Sequence, residues 1–497
     1  MQSDYYSDPH VRARLLEFLG GSRLDEVTAQ FITADGRGMH RWYDPRPVSE
    51  LWQCAADTSE VARSLWDRDS LIAHLDMEYV NFDYPAEPYL HPERAFDVQR
   101  PVVEAVEEIL LRHGIAPLHV LSGRGHHFVW RMDRGSVACA RLAEASRLPE
   151  SVEGKYLQPQ PPCGEFVSPD LAAAFAGLGL VMEYLAHLVL TAVGDRCEIP
   201  VKLTAVEVGP IKRGREIVSI DLSEYGDPLH TRTTRMPFSY YQKPQHCLGW
   251  PFDGQQSRLQ PLFVIPLHEM NERQGLVVMR DAKEVRALAR RASVQIPDQS
   301  SGMINLVNSY RTSSLARFHD DFYQTEHDPP LRWPETYDLT PLDPLPKCAS
   351  QILRYPNDLL LKPAGIQHVA RTLLAVGWHP RHIAGLIRSM YERNYNWGPT
   401  WLVYDAALRA DFYTRLFTGL VADGLDPLID FNCKSTQEKG YCCSAGCGHI
   451  LEDHRIQLVE RTRALQSKHS LPTKRSDDAS AVTPGGIIEI EVMETVI

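Results

Sequence analysis

Residues 71–85 read LIAHLDMEYVNFDYP, and the predicted fold depends on this stretch. Apolar residues alternate with others over much of its length, a pattern that indicates a β-strand. Side chains two residues apart on a strand face the same side, so Asp76 and Glu78 are expected to lie together. Two neighbouring carboxylates repel each other unless a cation lies between them. The pair therefore predicts either a solvated strand face or a site for Mg²⁺ or Mn²⁺.

A third carboxylate lies at the end of another apolar strand, in the segment EIVSIDLSEYG at residues 216–226. If this strand neighbours the first, Asp221 meets the other two acids. Such a group can hold two metal ions about 4 Å apart and stabilise both the attacking and the leaving oxygen of a phosphoryl transfer. The three residues Asp76, Glu78 and Asp221 are therefore the candidate catalytic acids.

A glycine-containing turn, SGRGHH at residues 122–127, joins two predicted strands. Its glycines free the backbone to turn and expose N–H groups, which suits an anion such as a triphosphate. Arg124 adds a permanent positive charge, and Ser122 and His127 add directional donors. The alternative is a plain hairpin turn. His126 and His127 are adjacent and face opposite ways on a strand, so they are a poor pair of ligands for one metal.

A basic segment surrounds the third acid. Residues 202–243 carry seven Lys or Arg against five Asp or Glu, in a chain whose net charge is -12. Arg235, Ser239 and Lys243 recur every four residues, but Pro237 disfavours a helix. A loop that lines a site and a solvated loop are the two interpretations.

In this order, the motifs resemble those of the catalytic subunit of the archaeo-eukaryotic primase superfamily. That family carries a strand with D-x-D or D-x-E, a turn S-G-x-G-x-H, a strand-end aspartate, and often R-x-P-x-S followed by a lysine. The resemblance covers roughly residues 60–250. The matches are Asp76-Met77-Glu78, Ser122 through His127, Asp221, Arg235-Met236-Pro237-Phe238-Ser239 and Lys243.

The resemblance implies an α/β (α+β) primase-type catalytic domain with mixed and antiparallel sheets. It also implies a nucleotidyltransferase, a DNA primase or primase-polymerase, that copies single-stranded DNA from NTPs or dNTPs. The three carboxylates would bind Mg²⁺ or Mn²⁺. The family's zinc knuckle between the first two motifs has no counterpart in this sequence. The residues that would hold the incoming nucleotide are Ser122, Gly123, Arg124, Gly125, His127, Arg235, Ser239 and Lys243.

A cysteine cluster occupies residues 433–447, where four of the ten cysteines fall. Its spacing, C-x8-C-C-x3-C, lacks the two C-x-x-C pairs of a zinc ribbon. Three thiolates need a fourth ligand, for which Cys348 is the best candidate and His449 or His454 the next. Four cysteines that close a small helical domain would suit a [4Fe–4S] cluster or a structural Zn²⁺. The alternative is a set of free cysteines.

The cysteine region is similar to the C-terminal iron–sulfur domain of the large primase subunit. The resemblance implies a [4Fe–4S] cluster, with Zn²⁺ as the alternative metal and Cys443 as the alternative to Cys442. In that family the domain engages the template and the initiating nucleotide. Arg371, Arg409 and Arg415 are therefore candidate contacts, or else exposed helix charges. The matches are Pro346-Lys347-Cys348, His368-x-x-Arg371, Cys433, Cys442 and Cys447.

Composition and length suggest a multidomain globular protein of 497 residues, with 43% hydrophobic and 23% charged residues. We expect a catalytic domain at 1–255, a linker or accessory region at 256–344, a mainly α-helical cysteine-rich domain at 345–465 and a flexible tail at 466–497. A helix is expected within 91–114 with a stop at Gly114, and the proline-rich residues 328–346 are expected to form an extended connector.

The sequence also limits the expected cellular location and the expected binding partners. No secretory signal and no apolar run of about 18 residues is seen, so the expectation is a cytoplasmic protein without membrane association. Single-stranded DNA and nucleotides are the expected partners, with replication proteins such as a helicase as further candidates. Two other function classes stay open: a rolling-circle nickase using GHHF with Tyr240 or Tyr241, and a non-catalytic nucleic-acid-binding protein.

Overall fold

The computed structural model describes residues 5–34, 44–57, 60–204, 215–246, 262–398, 404–442 and 446–469. It is a mixed α/β structure with mixed and antiparallel sheets. The strands are β1 (Ile32–Ala34), β2 (Asp44–Arg46), β3 (Val61–Ser64), β4 (Ser70–Asn81), β5 (Leu118–Leu121), β6 (Gly125–Asp133), β7 (Val201–Leu203), β8 (Glu216–Asp221), β9 (Thr233–Arg235), β10 (Tyr240–Tyr241), β11 (Leu262–Phe263) and β12 (Ile265–Pro266).

The helices alternate with these strands up to β12 and then follow one another without further strands in the described chain. They are α1 (Pro9–Phe18), α2 (Leu51–Ala56), α3 (Glu87–Leu90), α4 (Pro92–Asp97), α5 (Arg100–Arg112), α6 (Val137–Glu144), α7 (Glu150–Tyr156), α8 (Pro169–Val193), α9 (Lys243–His246), α10 (Glu272–Val278), α11 (Ala282–Arg291), α12 (Ser300–Arg311), α13 (Ser314–Gln324), α14 (Lys347–Arg354), α15 (Asp358–Leu361), α16 (Pro363–Ala375), α17 (Pro380–Tyr391), α18 (Ala406–Ala422), α19 (Cys433–Glu438) and α20 (Leu451–His469).

The principal sheet has six strands in the order β12-β5-β6-β4-β8-β7. The long strand β4 lies inside it and pairs antiparallel with β6 on one side and β8 on the other. β7 runs parallel to β8, so the sheet is mixed. Because β4 is hydrogen-bonded along both edges and flanked by helices, most of its apolar residues are buried, as its sequence pattern predicts. A second sheet, β2-β1-β3-β9, is antiparallel throughout.

The region from 262 to 344 is packed more closely than its weak sequence pattern indicates. β12 adds the edge strand next to β5, and α12 packs on α6 and α8. The proline-rich connector forms two 3₁₀ turns, at Pro330–Glu335 and Tyr337–Leu339, because buried Trp333 and Tyr337 anchor it. The expected extended connector is therefore folded onto the protein. The domain boundaries themselves stay predictions.

The helix expected within 91–114 is two helices, α4 and α5. Pro101 lies in the first turn of α5, where its missing N–H costs nothing, but it cannot continue an earlier helix. Gly114 ends α5 with a φ of 76°, as its position predicts. Of the expected tail, α20 continues to His469, and residues 470–497 lie outside the described residues.

Helix α8 is strongly apolar. With the turn after it, over Pro169–Arg196, it is long and apolar enough to cross a membrane by length and composition, which the sequence survey did not detect. Within the protein, 72% of its most apolar window is buried. A buried core helix meets the same two criteria, and α8 packs against α5, α6 and β4.

One hydrophobic core joins the sheet to the C-terminal helices, since a single cluster of buried residues extends from Tyr5 to Tyr441. Buried ion pairs cross the same junction. Glu183 of α8 accepts from Arg415 of α18 at 3.0 Å, and His319 of α13 lies 3.2 Å from the same carboxylate. Burial alone would raise the pKa of Glu183, but Arg415 and His319 lower it to about 2. Buried, desolvated ion pairs thus link the sheet to the C-terminal helices.

Arg415→Met tests this junction. It should lower the free energy of unfolding by about 3–5 kcal/mol, because the Glu183 carboxylate stays buried and loses its main counterion. Urea unfolding followed by circular dichroism measures the loss. Arg112→Met is the matched control, since its ion pair with Glu108 is exposed and should contribute far less. Equal losses in the two variants would contradict the prediction.

Candidate functional site

Three carboxylates meet at the centre of the principal sheet. In the strand register, Asp76 of β4 lies opposite Asp221 of β8. Glu78 is two residues from Asp76 and shares its face. Directly opposed residues of antiparallel strands have Cα atoms about 4.5–5.5 Å apart. The structure therefore brings together the three acids that the sequence pattern singles out.

The electrostatics of these acids are unequal. Burial raises the pKa of Asp76 well above its usual range, and the charges of Glu78 and Asp221 add to the rise. Burial also acts on Glu78, but Arg124 and Lys243 outweigh it and lower its pKa to about 2. Asp76 Oδ1 is buried and has no hydrogen-bond partner among the described residues. A proton or a cation would relieve the repulsion at this oxygen.

The acids are not yet arranged as a closed coordination shell. In the described part of the chain, no group of three or more His, Cys, Asp or Glu is close enough to hold a metal ion as it stands. Glu78 forms an ion pair with Arg124, and Asp221 Oδ1 accepts from the backbone N–H of Ser223 at 2.9 Å. Carboxylate oxygens are the hard donors that Mg²⁺ and Mn²⁺ prefer.

The SGRGHH turn packs closely against the strand that carries Asp76 and Glu78. A Cβ on Gly125 would lie 1.9 Å from the carbonyl oxygen of Met77, and a Cβ on Gly123 would lie 2.3 Å from the ring of Tyr241. Only glycine allows such close approach at either position. Ser122 is fully buried and its hydroxyl donates to the carbonyl of Gly125 at 3.3 Å, so it braces the turn.

Three cations line the same region. Lys243 Nζ lies 3.6 Å from Glu78, and burial together with Arg124 lowers the lysine pKa to about 8. Arg235 forms an ion pair with Glu60 and lies over the ring of Tyr241 at 4.5 Å. Cations held this close repel one another, which favours a bound polyanion among them.

Ser239 is another of the proposed nucleotide ligands. It is fully buried, and its hydroxyl donates to the carbonyl of Met236 at 2.7 Å. The side chain thereby closes the turn before β10, where Phe238 has a φ of 66°. Its position is explained by backbone support.

Two residues that the sequence analysis did not select complete the site. His74 Nε2 lies 2.8 Å from His127 Nδ1, and His74 Nδ1 lies 3.0 Å from Glu224 Oε1. We call this chain of Glu224, His74 and His127 the site-face relay. His74 precedes Asp76 by two residues and so shares its face, which is the signal that could have identified it.

A second chain lies on the opposite face of the same strands. His126 Nδ1 lies 2.9 Å from His119 Nε2, and His119 Nδ1 lies 3.2 Å from Glu107. We call this the back-face relay. Burial raises the pKa of Glu272, near His126, to about 7. His126 and His127 thus point to opposite faces, as their adjacency on a strand predicts.

The cysteines converge from distant parts of the chain. Burial raises the pKa of the Cys348 thiol to about 12, and the thiols of Cys442, Cys433 and Cys447 add to the rise. The three other thiols therefore each lie within electrostatic reach of Cys348. Among the described residues they do not form a group arranged to hold a metal ion. Cys443 lies outside the described residues.

The cysteine segment is tied to the edge of the sheet by a buried carboxylate. Asp430 lies 2.6 Å from Lys439, 3.2 Å from Arg371 and 3.9 Å from Lys202 of β7. Burial raises the pKa of Asp430, but these three cations lower it far more strongly. The segment that carries Cys433 is therefore fixed against the principal sheet.

The three arginines considered as template contacts are neither free contacts nor exposed charges. Arg371 pairs with Asp426 and Asp430, Arg409 with Asp227 and Arg415 with Glu183, and each arginine side chain is at most 8% exposed. The interpretation as exposed helix charges was therefore wrong, and the interpretation as template contacts stays a prediction. Helical periodicity does not reveal that a charged residue faces a buried partner.

No family model, curated protein or solved structure was found to match the chain.

Asp76→Asn should stabilise the protein while removing a candidate metal ligand. In metal-free buffer at neutral pH we expect the variant to melt a few degrees above the wild type, because the amide removes a buried, repelled charge. The folded-state pKa of Asp76 is raised, so the penalty exists at high pH and disappears as falling pH protonates the acid. Differential scanning calorimetry across pH measures both effects.

Asp133→Asn is the control for this experiment, because Asp133 lies on the neighbouring strand with its side chain 59% exposed. It should show little change at any pH. A lower melting temperature for Asp76→Asn than for the wild type at neutral pH would contradict the argument.

Proposed function

We propose that the chain is a nucleotidyltransferase, a DNA primase or primase-polymerase that copies single-stranded DNA from nucleoside triphosphates. One observation carries the proposal: Asp76, Glu78 and Asp221 meet on one sheet face beside two cations, Arg124 and Lys243. Acids that hold metal ions, next to bases that hold a polyanion, are the parts that phosphoryl transfer requires.

In the proposed reaction, a 3′-hydroxyl oxygen forms a bond to the α-phosphorus of the bound nucleotide. The bond from that phosphorus to the β-bridging oxygen breaks, pyrophosphate leaves, and the hydroxyl proton passes to solvent. Bound Mg²⁺ or Mn²⁺ would supply charge to the attacking and leaving oxygens. The chain's own part is positional: Asp76, Glu78 and Asp221 face the reacting phosphate, and the nearby cations neutralise the triphosphate.

The cysteine region supports a second element of the proposal. Cys348, Cys433, Cys442 and Cys447 are close enough to interact, which fits a [4Fe–4S] cluster or Zn²⁺. In this assignment the metal holds the cysteine segment in shape next to the sheet edge. The domain would assist with the template and the initiating nucleotide.

Partners and location follow from the same proposal. Single-stranded DNA and NTPs or dNTPs are the proposed ligands, a helicase is a candidate partner, and the cytoplasm is the proposed location. A rolling-circle nickase finds less support, because His126 and His127 point to opposite sheet faces and Tyr240 and Tyr241 are buried. A non-catalytic nucleic-acid-binding protein would have no need for three acids at one point.

Primer synthesis on unprimed single-stranded DNA, with labelled NTPs and dNTPs in parallel, tests the proposal. Asp221→Asn and Asp76→Asn should each lower synthesis by about a thousandfold or more, because each removes a metal ligand that stabilises the transition state by several kcal/mol. Glu108→Gln, a change at an exposed acid, should leave synthesis unchanged. Synthesis at the wild-type rate by either aspartate variant would refute the assignment.

Metal content tests the cysteine assignment. Protein purified without oxygen should contain either iron with acid-labile sulfide or zinc, and Cys348→Ser should lose it, because the serine hydroxyl is a poor ligand for a soft metal. Elemental analysis and visible absorbance distinguish the two metals. Cys163→Ser, at a partly exposed cysteine distant in sequence, is the control. Wild-type protein free of both metals would contradict the prediction.

A further inference from the structure

Helix α11 carries a basic face that the proposed site does not use. Residues 280–291 hold five Lys or Arg against two Asp or Glu, in a chain whose net charge is -12. The helix packs on α1, and its buried residues are Val285, Leu288 and Ala289. These three lie on one side of the helix, so the opposite side is the accessible one.

Three cations lie in a row on the accessible side. Lys283, Arg286 and Arg290 are three and four residues apart, so they are neighbours on one face of the helix. We call these three residues the basic stripe. Lys283 and Arg290 are exposed, and Arg286 is partly exposed. With a rise of about 1.5 Å per residue, the stripe extends for about 10 Å along the helix axis.

The two exposed cations have no counterion in the part of the chain that the structure describes. There, neither the Lys283 ammonium nor the Arg290 guanidinium forms an ion pair or a hydrogen bond. The nearby carboxylate of Asp281 is occupied, because it accepts from the backbone N–H of Lys283 at 2.8 Å and caps the helix. Positive charge that the protein leaves uncompensated attracts a negatively charged ligand.

The chemistry of this face fits a phosphodiester backbone better than a folded protein or a membrane. The other exposed residues of α11 are Glu284, Ala287 and Arg291, so the face has no exposed aromatic or large apolar side chain. Protein interfaces and membrane-surface helices both depend on such apolar anchors. A nucleic-acid backbone needs only cations spaced along its path, because binding is driven by the release of counterions.

Two packed aromatic rings connect the stripe to the strand that borders the candidate site. The Arg286 guanidinium lies 5.7 Å from the ring centroid of Tyr5, and the Tyr5 and Tyr240 ring centroids are 5.3 Å apart. The next residue along β10 is Tyr241, whose ring centroid lies 4.5 Å from the Arg235 guanidinium. The stripe is therefore placed beside β10, on the side of the protein that carries the nucleotide-binding cations.

We propose that the basic stripe of α11 binds the sugar–phosphate backbone of single-stranded DNA outside the candidate catalytic site. This inference rests on the proposed function, which supplies the strand as the template, and it adds a surface that the sequence motifs do not include. Contacts to phosphates position a strand without reading its bases, so binding at the stripe is independent of template sequence.

Salt-dependent DNA binding tests the proposal without catalysis. The probe is a fluorescent single strand of about 20 nucleotides and mixed sequence, followed by anisotropy without nucleotide or divalent metal at about 50 to 200 mM salt. The double substitution Lys283→Gln with Arg290→Gln should weaken binding about tenfold to thirtyfold at ~0.1 M salt. The slope of log affinity against log salt should flatten by about 1.4, since each contact to a single strand contributes about 0.7.

Two further variants separate the stripe from the rest of the helix. Arg291→Gln neutralises an exposed arginine on another side of α11, where it lies 4.0 Å from Glu269, and it should leave affinity and slope close to those of the wild type. Lys283→Arg with Arg290→Lys exchanges the side chains and keeps both charges, so it should bind as the wild type does.

Three results would overturn the proposal. Unchanged affinity and slope in the doubly neutralised protein would remove the stripe from binding. An equal loss in Arg291→Gln would show a general effect of net charge. A loss confined to a duplex of the same sequence, or to polyglutamate, would assign the stripe to another ligand.

The same measurements distinguish this proposal from the proposed function. A wild type that binds the single strand through the stripe but synthesises no primers would refute the proposed function alone. A wild type that synthesises primers, with stripe variants that bind DNA as it does, would refute this inference alone. A wild type that binds no single strand would contradict both.

Discussion

The repulsion between Asp76, Glu78 and Asp221 is the constraint on which the rest of the site depends. Carboxylates placed this close are unfavourable, and only a rigid backbone keeps them there. β4 supplies that rigidity because it is hydrogen-bonded to β6 and β8 on either side. The glycine turn can then pack flush against β4, and this brings Arg124 to Glu78. Positive side chains held nearby reduce the unfavourable repulsion among the carboxylates until a metal cation binds.

A second set of buried charges sets the position of the helices. Glu183 and Asp227 each face an arginine of α18, and Asp430, in the C-terminal part, faces Lys202 of β7. Such pairs contribute little net stability compared with apolar packing, but losing one partner is costly, so they define how the two parts fit. Helix α18 also brings Tyr413 within electrostatic reach of Asp221. The helical region therefore forms part of the surroundings of the proposed catalytic centre.

Sequence reasoning could predict features that depend on local periodicity. The pairing of Asp76 with Glu78 follows from the two-residue period of a strand, and the divergence of His126 and His127 follows from the same rule. The end of α5 at Gly114 follows from the conformational freedom of glycine. In each case the deciding residues are neighbours in the chain, and the mixed α/β class emerges from them.

Features that depend on distant partners could not be predicted in this way. Arg371, Arg409 and Arg415 look like surface charges until their carboxylates, far away in sequence, are placed beside them. Ser239 matches a motif, yet its hydroxyl is used by the local backbone. The proline-rich connector folds because Trp333 and Tyr337 are buried in the core. The local composition does not predict this burial.

The arginines of α18 have a consequence for the history of such a chain. Arg409 and Arg415 neutralise Asp227 and Glu183, which belong to the sheet-bearing half. If a helical segment from another gene replaced α18, those two carboxylates would be unpaired unless the new segment had arginines at the same two positions. A substitution of either arginine would therefore favour a compensating substitution of its carboxylate partner.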